Sequence, residues 1–593
     1  MKKRQLMGLL TVSAAVFALA ACGGNGSKKS DSGNDNVKTE DISKFSKEVK
    51  NDDKAIKGGT LEVAVVTDTQ FKGMFSEFYY EDAYDHEFMA PSHEGLFTYD
   101  EDFKITDDGP ATLDLDVDKK TATVTIQKDL KWSDGEAVTA DDLIYPYEVV
   151  GHKDYTGIRY DDTYTNIVGM EEYHEGKADT ISGIKKIDDK TIEISYKDVN
   201  PDMLQLDGGV ISHAMPKHVF KDIPIAEQDK SDAVRKNPVT FGPYKMNKIV
   251  PGESIEYVPN EYYYQGKPKL DKIVFSSVPS ASIVEAIKAK KYDLVYKMPT
   301  DNYPTYKDIE GYQMLGREEL AYTYIGFKLG TYDQEKGEVI TDPNAKMANK
   351  SLRQAMGYAI DTDAIGEKFY NGLRTGATTL IPPIFETLHD KDVKGYTYDL
   401  DKAKELLDEA GYKDTDDDGF REDPKGKKLT INFASMAGGE VAQPLGDYFI
   451  QQWKEIGLDV QYTTGRLIDF QSFYDKLKSD DPAVDVYQAA WGVDTAPAPN
   501  GLYSRKAAFN YSRFATEEND ELLNAITSKD SFDDEKRKAA YDEWQEYMFE
   551  EAPVIPTLYR NEILPVSNRV KNFTWNYENT RDFYTIELTN EDR

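Results

Sequence analysis

Few residues in this chain are spaced for chemistry. The clearest run is Asp414-Thr415-Asp416-Asp417-Asp418-Gly419. Carboxylates at positions 1, 3 and 5 with Gly at 6 match the first half of an EF-hand calcium loop. Position 12, where a bidentate Glu belongs, is Lys425, and Glu422 comes too early. An acidic, Gly-terminated turn is the expected structure, and no metal is assigned to it. The histidines are His86, His93, His152, His174, His213, His218 and His389. His213 and His218 lie on either side of Pro216 at a spacing that suits zinc poorly. H-E-x-x-H, G-x-S-x-G and Walker A motifs are all missing. The one cysteine, Cys22, rules out an intramolecular disulfide. This inventory points away from an enzyme and implies no cofactor.

The elements that carry these residues belong to a large, well-packed protein. At about 150 residues per domain, 593 residues make roughly three or four domains. Hydrophobic residues are 39% and aromatics 12%, enough for large cores. The net charge of −35 repels nucleic acid and anionic lipid surfaces, so no nucleic-acid partner is expected. Tyrosine is abundant at 40 residues, and its rigid ring with a polar tip suits both cores and binding clefts.

At the N-terminus, Lys2, Lys3 and Arg4 precede a short apolar run at 6–18 and then Leu19-Ala20-Ala21-Cys22. The run is too short to span a bilayer and reads as a signal peptide. L-A-A-C resembles the lipobox of bacterial lipoproteins, which implies a lipoprotein signal peptide over 1–22 ending at a lipidated Cys22, the mature N-terminus. Residues 23–57 are polar and lack periodicity, and are expected to be a flexible tether with a reach of about 30 Å.

Beyond the tether, apolar residues 61–66 predict a buried strand that ends at Thr67-Asp68-Thr69. Residues 237–273 contain two alternating runs around Pro251-Gly252, a hairpin signal. A helix is expected at 280–291, and strands at 293–296 and 321–329. Leu352, Ala355, Met356, Ala359 and Ile360 share one helical face. Ala403, Leu406, Leu407 and Ala410 share another, stopped by Gly411. A third helix ends at Gly457, and strands are expected at 429–433, 458–462 and 484–491. This alternation predicts an α/β fold.

Several stretches resemble the peptide-binding family of extracellular solute-binding proteins of ABC transporters, and especially the oligopeptide-binding lipoproteins of lactic-acid bacteria. They are W-S-D-G-E-A-V-T-A-D-D at 132–142, N-I-V-G-M at 166–170, G-P-Y at 242–244, S-L-R-Q-A-M-G-Y-A-I-D at 351–361 and D-L-D-K-A-K-E-L-L-D-E-A-G-Y at 399–412. The resemblance implies a two-lobed, periplasmic-binding-protein-like fold of the three-domain type, with discontinuous domains joined by a hinge. Residues 58–96, 236–330 and 553–593 would form lobe I, 97–235 an inserted domain and 331–552 lobe II. It also implies a monomeric receptor on the outer face of a Gram-positive cytoplasmic membrane. The receptor would be held there only by its lipid, and would pass oligopeptides to ABC permease subunits. A peptide-pheromone receptor of the same fold and a secreted lipoprotein peptidase are the rival readings.

In such proteins the ligand main chain lies as an added strand between the lobes. The resemblance places one edge at Val66-Thr67-Asp68 and the other around Ala490-Trp491. It sets Asp494 near the peptide's α-amino group, although Thr495-Ala-Pro-Ala-Pro499 departs from the family pattern there. Tyr296 and Tyr324 match family tyrosines that face the cleft.

If Cys22 carries the anchor, Cys22→Ala releases the protein from membranes in a fractionation assay and leaves ligand affinity unchanged. Retention of the variant in the membrane fraction refutes the anchor.

Overall fold

The computed structural model describes residues 40–101, 103–206, 208–577 and 583–592. Cys22 and the first part of the expected tether lie outside these residues.

The segment at 237–273 forms the expected hairpin, Tyr244–Val250 and Ser254–Pro259, paired antiparallel across the turn. Ile255 and Tyr257 are fully buried while their neighbours are not, which is the period-two pattern read from the sequence. Ser254–Pro259 pairs with Lys272–Val278, which runs parallel to Thr60–Val66. Thr60–Val66 in turn lies parallel to Leu294–Tyr296. Helix Ser280–Lys288 returns the chain between these strands, so this half is a βαβ layer. Its core holds Leu61, Val63, Phe88, Tyr244 and Phe275.

The other half is also α/β. Val486–Gly492 pairs parallel with Thr430–Ala434, which pairs parallel with Asp459–Tyr462. Helix Lys350–Tyr358 starts where the Asn349 side chain accepts from the Leu352 N–H. Helix Leu400–Glu409 starts in the same way at Asp399, and Gly411 follows it at φ +85°, a conformation that glycine adopts without strain. Phe433, Phe449 and Trp453 pack in its core.

One antiparallel pair joins the halves. Tyr312–Phe327 is 16 residues long and Val554–Ser567 is 14. Each serves the first half at one end and the second half at the other. Among the described residues they tie both halves into one 11-stranded sheet. The pairing slips between Glu318 and Tyr322 and again between Thr323 and Tyr324. The sequence predicts only 321–329 of the first of these strands; the polar residues Arg317–Glu319 conceal its beginning.

A separate four-stranded antiparallel sheet, with Thr121–Ile126 and Thr191–Ser195 at its centre, is the heart of the inserted unit. Asp142 accepts from the Thr139 N–H at 2.8 Å, the reciprocal bond of a capping box that opens helix Ala140–Val150. Trp132 is buried edge-on to Phe241, and the Ser133 N–H donates to the Thr240 carbonyl at 2.7 Å. The W-S-D-G signature therefore fastens the inserted unit to the start of the hairpin.

The tether reading needs one correction. Residues 40–57 lie along the body rather than apart from it. Ser46 bridges Leu315, Val49 N–H donates to Phe573 O, and Ile56 N–H donates to Leu588 O. At Gly316 a side-chain carbon would come within 2.7 Å of Phe45, so glycine is what lets this strap approach the crossover strand. Ile42, Phe45, Val49 and Ile56 also pack on the body, but they are too sparse to mark out an element, which is why the strap reads as a tether.

The inserted unit also meets the second half directly. Arg537 pairs with the buried Asp202 and donates to Gln205 at 3.0 Å, and Thr495 Oγ1 donates to Leu206 O at 3.0 Å. Burial pushes the Asp202 carboxyl up, and the Arg537 charge opposes that. Arg537→Ala would leave a buried carboxylate unpaired, a loss of ~3–5 kcal/mol that opening the cleft relieves. We expect the ligand-free variant to expand in small-angle scattering. A profile identical to the parent's refutes this contact as a determinant of closure.

Candidate functional site

Between the halves lies a cavity of about 2040 Å³. Small-molecule pockets usually run to ~300–1,000 Å³, so this one has room for a larger ligand. Two strand ends meet it. The pairing of Thr60–Val66 with Leu294–Tyr296 stops at Val65, and Val66, Thr67 and Asp68 beyond it line the cavity. On the opposite side, the pairing of Val486–Gly492 with Thr430–Ala434 stops at Tyr487, and Gln488–Asp494 beyond it line the cavity. Each end thus has one side in a ladder and one side facing the space. An extended chain between them could pair with both.

Thr67, Asp68, Ala490, Trp491 and Asp494 are brought together on this cavity. The Asp68 carboxylate accepts from Ser280 N–H at 2.9 Å and Ser280 Oγ at 2.7 Å. It satisfies the start of helix Ser280–Lys288, so what this residue turns to the cavity is chiefly main chain. Trp491 stacks on Tyr511 with centroids 5.5 Å apart and meets Phe509 edge-on at 5.3 Å. Asp494 is one of the charges, after the burial that opposes them, that hold Arg159 protonated from across the cleft.

Tyr296 and Tyr324 do not line the cavity, contrary to the expectation. Tyr296 is buried in the first core, stacked 6.2 Å from Phe275. Tyr324 is buried behind Trp491, stacked at 6.4 Å, with Tyr487 edge-on to it. Facing does not separate Tyr324 from the cavity, since Tyr322 shares its face with the rings 6.0 Å apart; position along the strand does, because the strand lines the cavity no farther than Thr323. In the same strand Tyr322 reaches the cavity, and its hydroxyl bonds Tyr503 at 2.7 Å.

Sequence reasoning missed the charged floor. Lys297 Nζ lies 3.1 Å from Glu562, 3.3 Å from Glu319 and 3.5 Å from Glu87. Arg317 pairs with Glu562 at 3.0 Å, and Arg560 with Glu319 at 2.8 Å. Burial works to raise the Glu562 carboxyl, but the Lys297 and Arg317 charges overcome it and hold it at about 2. The signal was present: Arg317 and Glu319, then Arg560 and Glu562, occupy alternate positions, and so one face each, in strands whose remaining residues are mostly apolar. Charges in such places are retained only when paired.

The other candidates stand apart from the cavity. Asp414, Asp416 and Glu422 offer oxygens within 4.8 Å of one another, an arrangement that could hold a cation. Bonds within the loop also account for them: Gly419 N–H donates to Asp414, and Thr415 N–H and Oγ1 to Glu422. His213 and His218 do not converge. His218 lies 2.7 Å from Asp134, and His213 lies 3.9 Å from Glu77.

The chain is similar to known proteins over nearly its whole length. It is 37% identical to the oligopeptide-binding protein OppA of Lactococcus lactis subsp. lactis, with 97% of each chain covered. A solved structure of lactococcal OppA, closed on an endogenous peptide, superposes with a TM-score of 0.87 at 36% identity, covering 90% of this chain and all of that one. The oligopeptide-binding protein AppA of Bacillus subtilis, solved with a nonapeptide, has the same fold with a TM-score of 0.75 at 22% identity, over 90% of this chain and all of that one. The model of the bacterial extracellular solute-binding proteins, family 5, matches residues 109–513. The chain belongs to family 5 of the bacterial extracellular solute-binding proteins.

Proposed function

We propose that this protein captures oligopeptides outside the cell and delivers them to an ABC importer. Cys22 carries the lipid that holds it at the outer face of the cytoplasmic membrane. The observation that carries the reading is the pair of half-satisfied strand ends, 66–68 and 488–492, facing one cavity of about 2040 Å³. A peptide main chain satisfies both at once, by strand addition. The peptide-bound lactococcal relative supports the same ligand class. Affinity then comes mainly from main-chain bonds, so sequence preference is broad. The protein acts as a monomer, and its halves close about the crossover strands as a hinge.

Of the residues named from the sequence, Thr67, Asp68, Ala490, Trp491 and Asp494 contact the peptide in this reading. Trp491 offers an apolar wall, and Asp494 a carboxylate near the peptide's α-amino group.

Incubating the purified protein with a peptide mixture and analysing both fractions by mass spectrometry tests the reading. We expect many intact peptides to be retained. Cleaved products would favour a peptidase, and one retained sequence a signalling receptor. Asp494→Asn should weaken free-amine peptides about tenfold or more, the value of one charge-assisted hydrogen bond, and N-acetylated peptides hardly at all. Equal affinities in parent and variant for both kinds would remove Asp494 from the amine's surroundings.

A further inference from the structure

We infer that Arg374, on the floor of the cleft, is a subsite for a ligand carboxylate. The inference rests on the peptide reading above and adds to it a charged specificity determinant.

Arg374 begins the short strand Arg374–Gly376, which pairs antiparallel with Val554–Ser567. Its direct cross-strand partner is Arg560. Directly opposed side chains share a face, and like charges in that position repel. Both arginines line the cavity. Their circumstances differ. Arg560 has Glu319 at 2.8 Å, and the floor around it balances: Lys297, Arg317 and Arg560 meet Glu87, Glu319 and Glu562.

Arg374 stands outside that balance. Among the described residues its guanidinium makes no ion pair and no hydrogen bond, and its Nε is buried without an acceptor. It rests on the Tyr370 ring, 3.9 Å from the centroid. That contact supports a cation without neutralising it. Asp301 lines the same cavity but stays beyond ion-pairing distance, and burial pushes its carboxyl up. Burial also presses the Arg374 pKa down and the Arg560 charge adds to this, against the pull of Tyr370, Glu319 and Asp301. A guanidinium nonetheless stays protonated.

The result is a guanidinium on the cavity wall whose Nε is buried without an acceptor and which has, among the described residues, no carboxylate within ion-pairing distance, Asp301 and Glu319 acting on it only from farther off. Its planar fork matches a carboxylate, and the Tyr370 ring holds it flat. A peptide supplies that group in two ways, from its C-terminus or from an Asp or Glu side chain. Either would complete the floor. A main-chain carbonyl could accept a hydrogen bond there but would leave the charge uncompensated.

A heptapeptide library of Ala, Leu, Gln and Glu, prepared as free acids and as C-amides, separates these cases. The purified protein is incubated with the library, and retained members are counted by mass spectrometry. In the parent we expect members bearing a carboxylate to be enriched about tenfold over the Glu-free amides, the factor one charge-assisted bond supplies. Enrichment of Glu-free acids assigns the site to the C-terminus, and enrichment of Glu-containing amides assigns it to side chains. In Arg374→Gln the ratio should fall to about one while the Glu-free amides bind as before. A parent without preference overturns the subsite, whether or not the variant folds. So does a variant that keeps the parent's ratio, or one that loses all members equally. Retention of no library member by the parent would overturn the peptide reading itself, and this subsite with it.

Discussion

Two long strands belong to both halves of this molecule, and that constraint governs the rest. Tyr312–Phe327 and Val554–Ser567 hold the first half at one end and the second at the other. Any motion between the halves must bend this pair, and it is already irregular between Glu318 and Tyr322. Around that break the chain places Lys297, Arg317, Glu319, Arg560 and Glu562 rather than apolar side chains. A hinge packed with interlocking hydrophobic groups would be stiff, because close-packed interiors do not deform smoothly. Ion pairs tolerate small shifts in distance and remain attractive, since Coulomb energy falls off only as the inverse of separation. The buried charges also forbid full collapse of the floor. They keep the base of the cleft polar and open to a ligand.

The same strands explain how the cavity recognises a ligand. The ladders on either side stop short, at Val65 and at Tyr487, because the neighbouring strands end there. Beyond those points the backbone of each strand has no ladder partner on one side among the described residues, although Ala490 O accepts from the Tyr474 hydroxyl at 3.4 Å, and backbone groups need partners when water is excluded. Main-chain recognition is indifferent to side chains, so selectivity has to come from the walls. Trp491, Phe509 and Tyr511 make one apolar wall, and the arginine-rich floor makes a charged one.

Much of the fold was legible in the sequence, and the exceptions share a cause. Strong periodic patterns gave the hairpin around Pro251-Gly252 and the helices closed by Gly411 and Gly457, because side-chain burial wrote them. Residues 40–57 were misread because they are held by backbone bonds, such as Val49 N–H to Phe573 O, and by four apolar residues, Ile42, Phe45, Val49 and Ile56, too sparse to read as a helix or strand. Tyr296 and Tyr324 were assigned to the cleft because the resemblance matched strand positions without showing how far along each strand the cavity reaches. Both lie in the core, where an aromatic ring buries more area than it would against water. Arg374 was missed for a different reason. Its meaning depends on Arg560, 186 positions away in the chain, and only the sheet brings the two together.

Closure must be nearly balanced for such a receptor to work. If contacts between the halves strongly favoured the closed form, the empty cleft would exclude its ligand; if they favoured the open form too far, binding energy would be spent on closing. The contact between Asp202 and Arg537 suits that balance. A buried ion pair forms in one geometry only, so it defines the closed arrangement sharply. Yet the cost of stripping water from both charges offsets most of their attraction, and its net stabilisation is small. An apolar contact of the same size would lack that offset and would hold the halves shut. The ligand, which touches both strand ends, is then left to decide the position of the hinge.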